Sequence, residues 1–383
     1  LNYLIALLLM ISFAKFFGWV AEKAKCPSVV GEIIGGVILG PSFLHLIRPN
    51  DMVTILAQVG VVALMFIAGL TCDVDRLKKY FTPGIMVALL GVIFPVASIY
   101  AICRYLQISI IESAFIGIVF AATSVSISVA VLDEMKELKS SAGVTILAAA
   151  VADDIISIVL LSVAVPVLGI GNGHGRSDAI FLVLLQIVYF LFVWLCYRII
   201  MIMRSTLEPL HINPGLLGLL FCLLLSGTAE MVKLSGVTGA FFAGLIISQT
   251  RINKKLSVNM KALGGLAIIP IFFVSIGISM NISSIFANIN LFIVLTILAI
   301  ATKFIGAFIG AKVSRFDVKN AAEIGAGMIS RGEVGVVIAE AGLKSHFISN
   351  AHYSTLIAVI VVTTILAPII LKPIVLWKQK SEE

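Results

Sequence analysis

The sequence predicts an all-α polytopic membrane protein of thirteen transmembrane helices, and three observations carry that prediction. Of the 383 residues, 60% are hydrophobic and only 12% charged, with a mean hydropathy of +1.13, whereas a soluble domain carries about 25% charge. Apolar stretches close to the ~20 residues that a bilayer-spanning helix needs recur from one end to the other. Inside one of them, TILAAAVADDIISIVLLSVAVPVL (145–168), lie two adjacent aspartates, Asp153 and Asp154. An ionised carboxylate at the bilayer centre costs at least ~2.5–3.5 kcal/mol, and a neighbour of like sign adds repulsion. No packing role requires two of them side by side, so the pair reads first as a site for a cation or a proton.

Charged, Gly- or Pro-marked breaks delimit the spans at about 1–21, 28–47, 54–72, 83–106, 112–132, 142–169, 178–203, 213–233, 236–250, 262–280, 289–313, 320–343 and 352–376. The first has neither the basic n-region nor the cleavage site of a signal peptide, so it counts as a membrane helix. The ninth and tenth are short. The odd-numbered connections and the C-terminus together hold 19 Lys and Arg residues against 5 in the even-numbered ones. The positive-inside rule then places the N-terminus outside and the C-terminus in the cytoplasm. Cys26, Cys72, Cys103, Cys196 and Cys222 are scattered and form no C-x-x-C, which argues for buried thiols rather than disulfides or zinc. The net charge of +7 is spread over short loops, so no nucleic-acid partner is expected.

The chain also resembles itself. A shift of 208 residues lays SVVGEIIGGVILG (28–40) over GVTGAFFAGLIIS (236–248), matching Gly31 to Gly239 and Gly36 to Gly244, and the same shift matches Gly69 to Gly277. A shift of 210 sets Asp153 and Asp154 over Thr363 and Thr364. Each match joins a span to the one seven places later. Seven is odd, so the copies cross the membrane in opposite senses, and the seventh span is left as a linker. Inverted repeats of this kind are a recurring plan of secondary transporters, with the site near the midplane at the repeat interface.

The fifth span, FIGIVFAATSVSISVAVLDEM, crowds Thr123, Ser124, Ser126 and Ser128 into its middle; its repeat partner, the twelfth, carries Ser330, Arg331, Gly332 and Glu333 at the matching depth. Backbone leaves the helix inside a membrane only where it is buried in protein or lines a cavity, so paired interruptions in two halves point to a transport site. The plainer readings are hydroxyls bonded back to their own helix and an Arg331–Glu333 pair that holds the structure together. Lys303, about fourteen residues into the eleventh span, is too deep to reach either surface comfortably and needs a carboxylate. An ion pair with the acidic pair across the repeat interface is expected, the alternative being a lysine drawn to the headgroups by helix tilt. Lys15, Glu32 and Glu230 are weaker candidates that fit contacts between helices equally well, and the five histidines sit in connections or near span ends.

The Asp-Asp pair in the sixth span, ATSVSISV in the fifth, a lysine in the eleventh and ISRGEVG in the twelfth resemble the monovalent cation:proton antiporter-2 family, and within it the NapA-like sodium/proton antiporters. The likeness covers essentially the whole chain. It implies the NhaA/NapA-like fold, with two crossing discontinuous helices. A dimerisation domain (1–80 and 212–285), a core domain for ion translocation (81–171 and 286–383) and a linker helix (172–211) would make up the chain. By position, Asp154 would bind the cation or a proton, and Asp153 would pair with Lys303 until the cation arrives. Thr123 and Ser124 would line the sodium site, with Ser330, Arg331 and Glu333 on the opposed crossing helix. Kef-type relatives add a C-terminal nucleotide-binding domain; none is expected here, because the chain ends soon after its last span.

The implied activity is non-enzymatic exchange of sodium or lithium for protons by a homodimer in a bacterial cell membrane, with no cofactor beyond the transported ions. One carboxylate that holds either a proton or a cation makes exchange obligatory by competition. Potassium/proton or mixed exchange uses the same scaffold, and a sodium-coupled symporter is a further alternative. An intramembrane aspartyl protease is disfavoured, since it needs its two aspartates on different helices and these are neighbours about 100° apart on one.

Overall fold

The computed structural model describes residues 3–167, 175–203, 214–232, 234–250, 253–280, 288–344 and 347–380. Among the described residues every regular element is helical: α1 (Tyr3–Lys23), α2 (Ser28–Leu39), α3 (Asp51–Thr71), α4 (Val74–Tyr105), α5 (Ile110–Val119), α6 (Val125–Glu134), α7 (Ser141–Val167), α8 (Gly175–Met203), α9 (Pro214–Met231), α10 (Gly236–Ser248), α11 (Asn253–Leu263), α12 (Ile269–Ile278), α13 (Ile289–Val313), α14 (Val318–Gly327), α15 (Glu333–Lys344) and α16 (Asn350–Gln379). Seven of the described helical stretches are long and apolar enough to cross a membrane. Leu4, Leu8, Phe16 and Trp19 on α1, and Leu184, Ile187, Leu191 and Trp194 on α8, stand exposed. In water an apolar surface of that extent marks an interaction site; against hydrocarbon it is the ordinary exterior.

Several boundaries differ from the expected ones. The fourth span begins at Val74 rather than at 83, because Asp73 accepts hydrogen bonds from the backbone N–H groups of Asp75 (3.0 Å) and Arg76 (3.2 Å) and so caps the helix two residues after α3 ends. The helix then runs through Pro83 and Pro95 without stopping; neighbouring helices tolerate the lost backbone bonds there. The tenth span is not short. The polar NKKLSVNMKAL is helical as α11, and a π-turn, Gly264–Ile268, joins it to α12. The second is shorter than expected, ending at Leu39 before Gly40 and Pro41. The last runs on to Gln379 through Pro368 and Pro373. The fifth and twelfth spans are each split, with residues 120–124 between α5 and α6 and residues 328–332 between α14 and α15.

Two close crossings organise the packing. A Cβ on Gly36 of α2 would lie 2.0 Å from the Val274 carbonyl oxygen, and one on Gly277 of α12 would lie 2.1 Å from that of Ile33. A Cβ on Gly69 of α3 would lie 2.2 Å from the Phe241 oxygen, and one on Gly244 of α10 would lie 2.2 Å from that of Phe66. No other residue lets two helix backbones meet this closely. Around these crossings α1 packs on α2, and α9 on α10. Elsewhere α4 lies along α13 and α7, α14 packs on α13 and α16, and α5 on α4 and α15. α6 reaches across to α2 and α3. Its last residues are tied to α2 and α11: Glu134 accepts from the N–H (3.0 Å) and hydroxyl (2.9 Å) of Ser28, and Asp133 pairs with Lys261 of α11 at 3.1 Å.

Candidate ion-binding site

The two helix breaks are held against each other by polar groups that the sequence places between the half-helices. The Ser124 N–H donates to the Ser330 carbonyl at 2.9 Å, and the Ser330 hydroxyl donates to the Ser124 carbonyl at 2.6 Å. Ser128 donates to the Gly327 carbonyl and lies 3.2 Å from the Ser330 hydroxyl. These backbone groups lost their helical partners at the interruptions, and buried groups of this kind must be satisfied somewhere. The hydroxyls of Ser128 and Ser330 therefore bond across to the opposite break rather than back to their own helix. Ser124 and Ser126 pair through their hydroxyls at 3.0 Å, while the Thr123 hydroxyl is buried with no hydrogen-bond partner.

Arg331 is fully buried and fills the space behind the first break. It donates to the carbonyls of Ala122 (3.0 Å), Ala121 (3.4 Å) and, from α13, Ala299 (2.9 Å). Its own carbonyl accepts from Thr364, the residue set over Asp154 in the repeat alignment. The guanidinium fork suits several carbonyls at once, which a lysine could not match. Glu333 opens α15, but its side chain lies outside the described ones, so the expected pairing with Arg331 does too.

Lys303 is also fully buried. Its ammonium donates to the Ala121 carbonyl at 2.5 Å and to Asp153 Oδ1 at 3.1 Å. The lysine is therefore drawn inward, not tilted toward the headgroups. Gly91 of α4 gives it room: a Cβ there would lie 3.5 Å from Lys303 Cε. The second oxygen of Asp153, Oδ2, is buried with no hydrogen-bond partner. Asp154, 6% exposed, turns another way and accepts a 2.6 Å hydrogen bond on Oδ2 from Thr238 of α10. Adjacent residues on a helix point about 100° apart, so neighbouring carboxylates here serve two different partners.

Ala121 O is the meeting point, accepting from both Lys303 and Arg331. Two cations and two acids thus share one buried region, and their formal charges cancel when both aspartates are ionised. That matters energetically, because an unbalanced charge in such a place is strongly disfavoured.

Thr238 and Gly91 escaped the sequence reading. Thr238 lies 84 residues from Asp154 within a glycine-rich segment, and nothing local distinguishes it. Of the weaker candidates, Lys15 donates to the Gly265 carbonyl in the π-turn at 2.6 Å, Glu32 is buried, and Glu230 is exposed. Lys15 and Glu32 line, with Glu22, Asp133 and Glu134, a cavity of about 430 Å³ between α1, α2 and α6.

A family profile described as the transmembrane sodium/hydrogen exchanger matches residues 8–377. A Na(+)/H(+) antiporter of Enterococcus hirae is 40% identical over 372 residues, spanning 96% of this chain and 97% of its own. The Na(+)/H(+)-K(+) antiporter GerN of Bacillus cereus is 33% identical over 371 residues, 96% of this chain and 94% of its own. The solved structure of the sodium proton antiporter MjNhaP1 from Methanocaldococcus jannaschii superposes with a TM-score of 0.69 at 18% identity, covering 96% of this chain and 95% of that one, which speaks to the fold alone. The matching description is that of sodium/hydrogen exchangers, not the narrower antiporter-2 name suggested by the motifs. With its apolar helices and an extended match on both counts, this multi-pass membrane chain belongs to the sodium/hydrogen exchanger family.

Proposed function

We propose that this chain exchanges sodium ions for protons by alternating access, with Asp154 as the carboxylate that holds one or the other. The observation that carries the reading is the buried quartet of Asp153, Asp154, Lys303 and Arg331 beside two abutting helix breaks. With both acids ionised the quartet is neutral, so a sodium ion and a proton each add the same single charge. One carboxylate does not hold both, and competition enforces exchange. Thr123 and Ser124 supply neutral oxygens suited to a small hard cation. Ser330, Arg331 and Glu333 hold the crossing half-helix, and Lys303 holds Asp153 until the cation draws it away. The E. hirae relative, named a Na(+)/H(+) antiporter over nearly its full length, supports the pairing of ions. Lithium fits the same oxygen set.

The architecture that goes with this mechanism is thirteen spans in two inverted halves, N-terminus outside and C-terminus cytoplasmic. A dimerisation domain (1–80 and 212–285) would be the fixed part of a homodimer. The core domain (81–171 and 286–383) would move against it, joined by the linker of 172–211, of which residues 172–174 and 204–211 lie outside the described residues. The glycine crossings support the repeat: α2 on α12 and α3 on α10 exchange places when Gly36 is matched to Gly244 and Gly69 to Gly277. The separate packing of α1, α2 and α12 from α4, α7 and α13 supports the two domains.

Potassium exchange is the second reading, favoured by the name of GerN, a Na(+)/H(+)-K(+) antiporter. Purified protein in liposomes under an imposed pH gradient tests both. Sodium uptake that Asp154→Asn abolishes is the expected result. Undiminished exchange in that variant overturns the site, and potassium uptake equal to that of sodium selects the second reading.

A further inference from the structure

An exchanger has to prevent its empty carrier from crossing, since an unloaded return would let one ion run down its gradient alone. The hydrogen bond between Thr238 Oγ1 and Asp154 Oδ2 at 2.6 Å has the placement to do this. Several threonine hydroxyls in the described helices donate to their own helix four residues back, as Thr145 does to Ser141, Thr228 to Leu224, Thr302 to Leu298 and Thr355 to Ala351. Thr238 stands in the first turn of α10, where the residue four back, Leu234, precedes the helix. Its donor goes instead to another element, α7.

The mount of each partner gives the bond its meaning. α10 is seated on two neighbours by glycine contacts: a Cβ on Gly239 would lie 2.3 Å from the Leu225 carbonyl oxygen of α9, and one on Gly244 would lie 2.2 Å from that of Phe66 of α3. α7 is seated on α4, where a Cβ on Gly84 would lie 2.6 Å from the Ala148 Cβ. Thr238 and Asp154, 2% and 6% exposed, thus sit on helices seated against different neighbours, and their bond joins those helices out of water. A hydrogen bond to an ionised carboxylate is about twice as strong as a neutral one; a proton neutralises the charge that makes it strong, and a bound cation offsets that charge and occupies the oxygen.

We propose that Thr238 is a coupling residue: its hydroxyl ties the unloaded, ionised Asp154 to α10, and loading with either a cation or a proton releases the tie so that only a loaded carrier crosses. This rests on the reading of Asp154 as the ion-carrying carboxylate. Thr238 acts through Asp154 and competes with the cation for it, so it is a positioning residue and not a ligand.

The test uses the full chain reconstituted in liposomes loaded with sodium-22 and pyranine, with pH equal on both sides and charge clamped by potassium and valinomycin. Sodium efflux and internal acidification are read together. Thr238→Val should move several-fold more sodium per proton than the parent protein, while Thr238→Ser, which keeps the donor, should retain the parent ratio. In detergent, the sodium concentration giving half the thermal shift should fall several-fold in Thr238→Val, and Thr238→Ala provides a second donor-free variant for the same two readings. An unchanged sodium-to-proton ratio, or weaker sodium binding with coupling intact, overturns the proposal. Asp154→Asn separates the two ideas. Exchange that survives it removes the underlying reading, whereas exchange lost in Asp154→Asn together with parent-like coupling in Thr238→Val removes the role of Thr238 alone.

Discussion

Ser124 and Ser330 satisfy each other across the two helix breaks, the first through its backbone N–H at 2.9 Å and the second through its hydroxyl at 2.6 Å. The two residues come from half-helices more than 200 positions apart in sequence, so this pair fixes where the interruptions meet. An interruption inside a membrane is stable only when its freed carbonyls and amides find partners. Here each break supplies what the other lost.

Ser330→Ala removes the hydroxyl donor and leaves the Ser124 carbonyl buried without it. A loss of about 1–3 kcal/mol is expected, read as a lower melting temperature of the purified protein. Ser330→Thr, which restores a hydroxyl, should recover part of it. A melting temperature unchanged in the alanine variant would contradict the role given to this contact.

Lys303 and Asp153 form an ion pair from which solvent is excluded, with relative side-chain exposures of 0% and 1%. Removing one partner strands the other, which costs about 3–5 kcal/mol, whereas neutralising both is far milder. Lys303→Met should therefore destabilise the protein strongly, and Lys303→Met with Asp153→Asn should recover most of the loss. If the double variant melts no higher than the single one, the pair is not the source of the effect.

Gly36 sets the spacing of α2 and α12. An alanine methyl would lie 2.0 Å from a backbone oxygen, which cannot swing away as a side chain could, so the helices must separate. Overpacking of this kind costs about 1–3 kcal/mol. Gly36→Ala and Gly277→Ala should each lower stability, and because they crowd one crossing their effects should be non-additive. Gly265 has open space where its Cβ would be, so Gly265→Ala serves as the control in a thermal melt.

Glu137, in the connection between α6 and α7, is pushed up by burial, but hydrogen bonds from Gln379 and the charge and bond of Lys378 outweigh this and hold it below the usual 4.5. The same lysine lies 2.9 Å from Glu323. A carboxyl lowered in the folded state contributes stability that is present above its unfolded value and lost as pH falls through the folded one. The melting temperature should therefore drop as pH is taken below about 4.5, and Gln379→Ala should flatten that drop. An equal acid-side slope in the variant would refute the link.

Sequence alone determined that this chain is all-helical and bilayer-embedded, because hydrocarbon imposes a local rule: each segment must satisfy its own backbone, and a run of apolar side chains declares it. It also marked the two stretches that break that rule, around Ser124 and Ser330, and singled out Asp153, Asp154, Lys303 and Arg331 through the cost of placing charge there. Helix ends were less legible, since Pro83 reads as a stop and only packing lets α4 run past it. Tertiary structure alone decided the remaining partners. The motifs pair Asp153 with Lys303 by resemblance, and that contact is present, but nothing local gives Asp154 its partner Thr238. Arg331 gathers the carbonyls of Ala121, Ala122 and Ala299, acceptors from two different helical regions that nothing near it in the chain announces. Such choices follow from which helix backs onto which, and that is set by glycine contacts between segments remote in the chain, where no local pattern carries the answer.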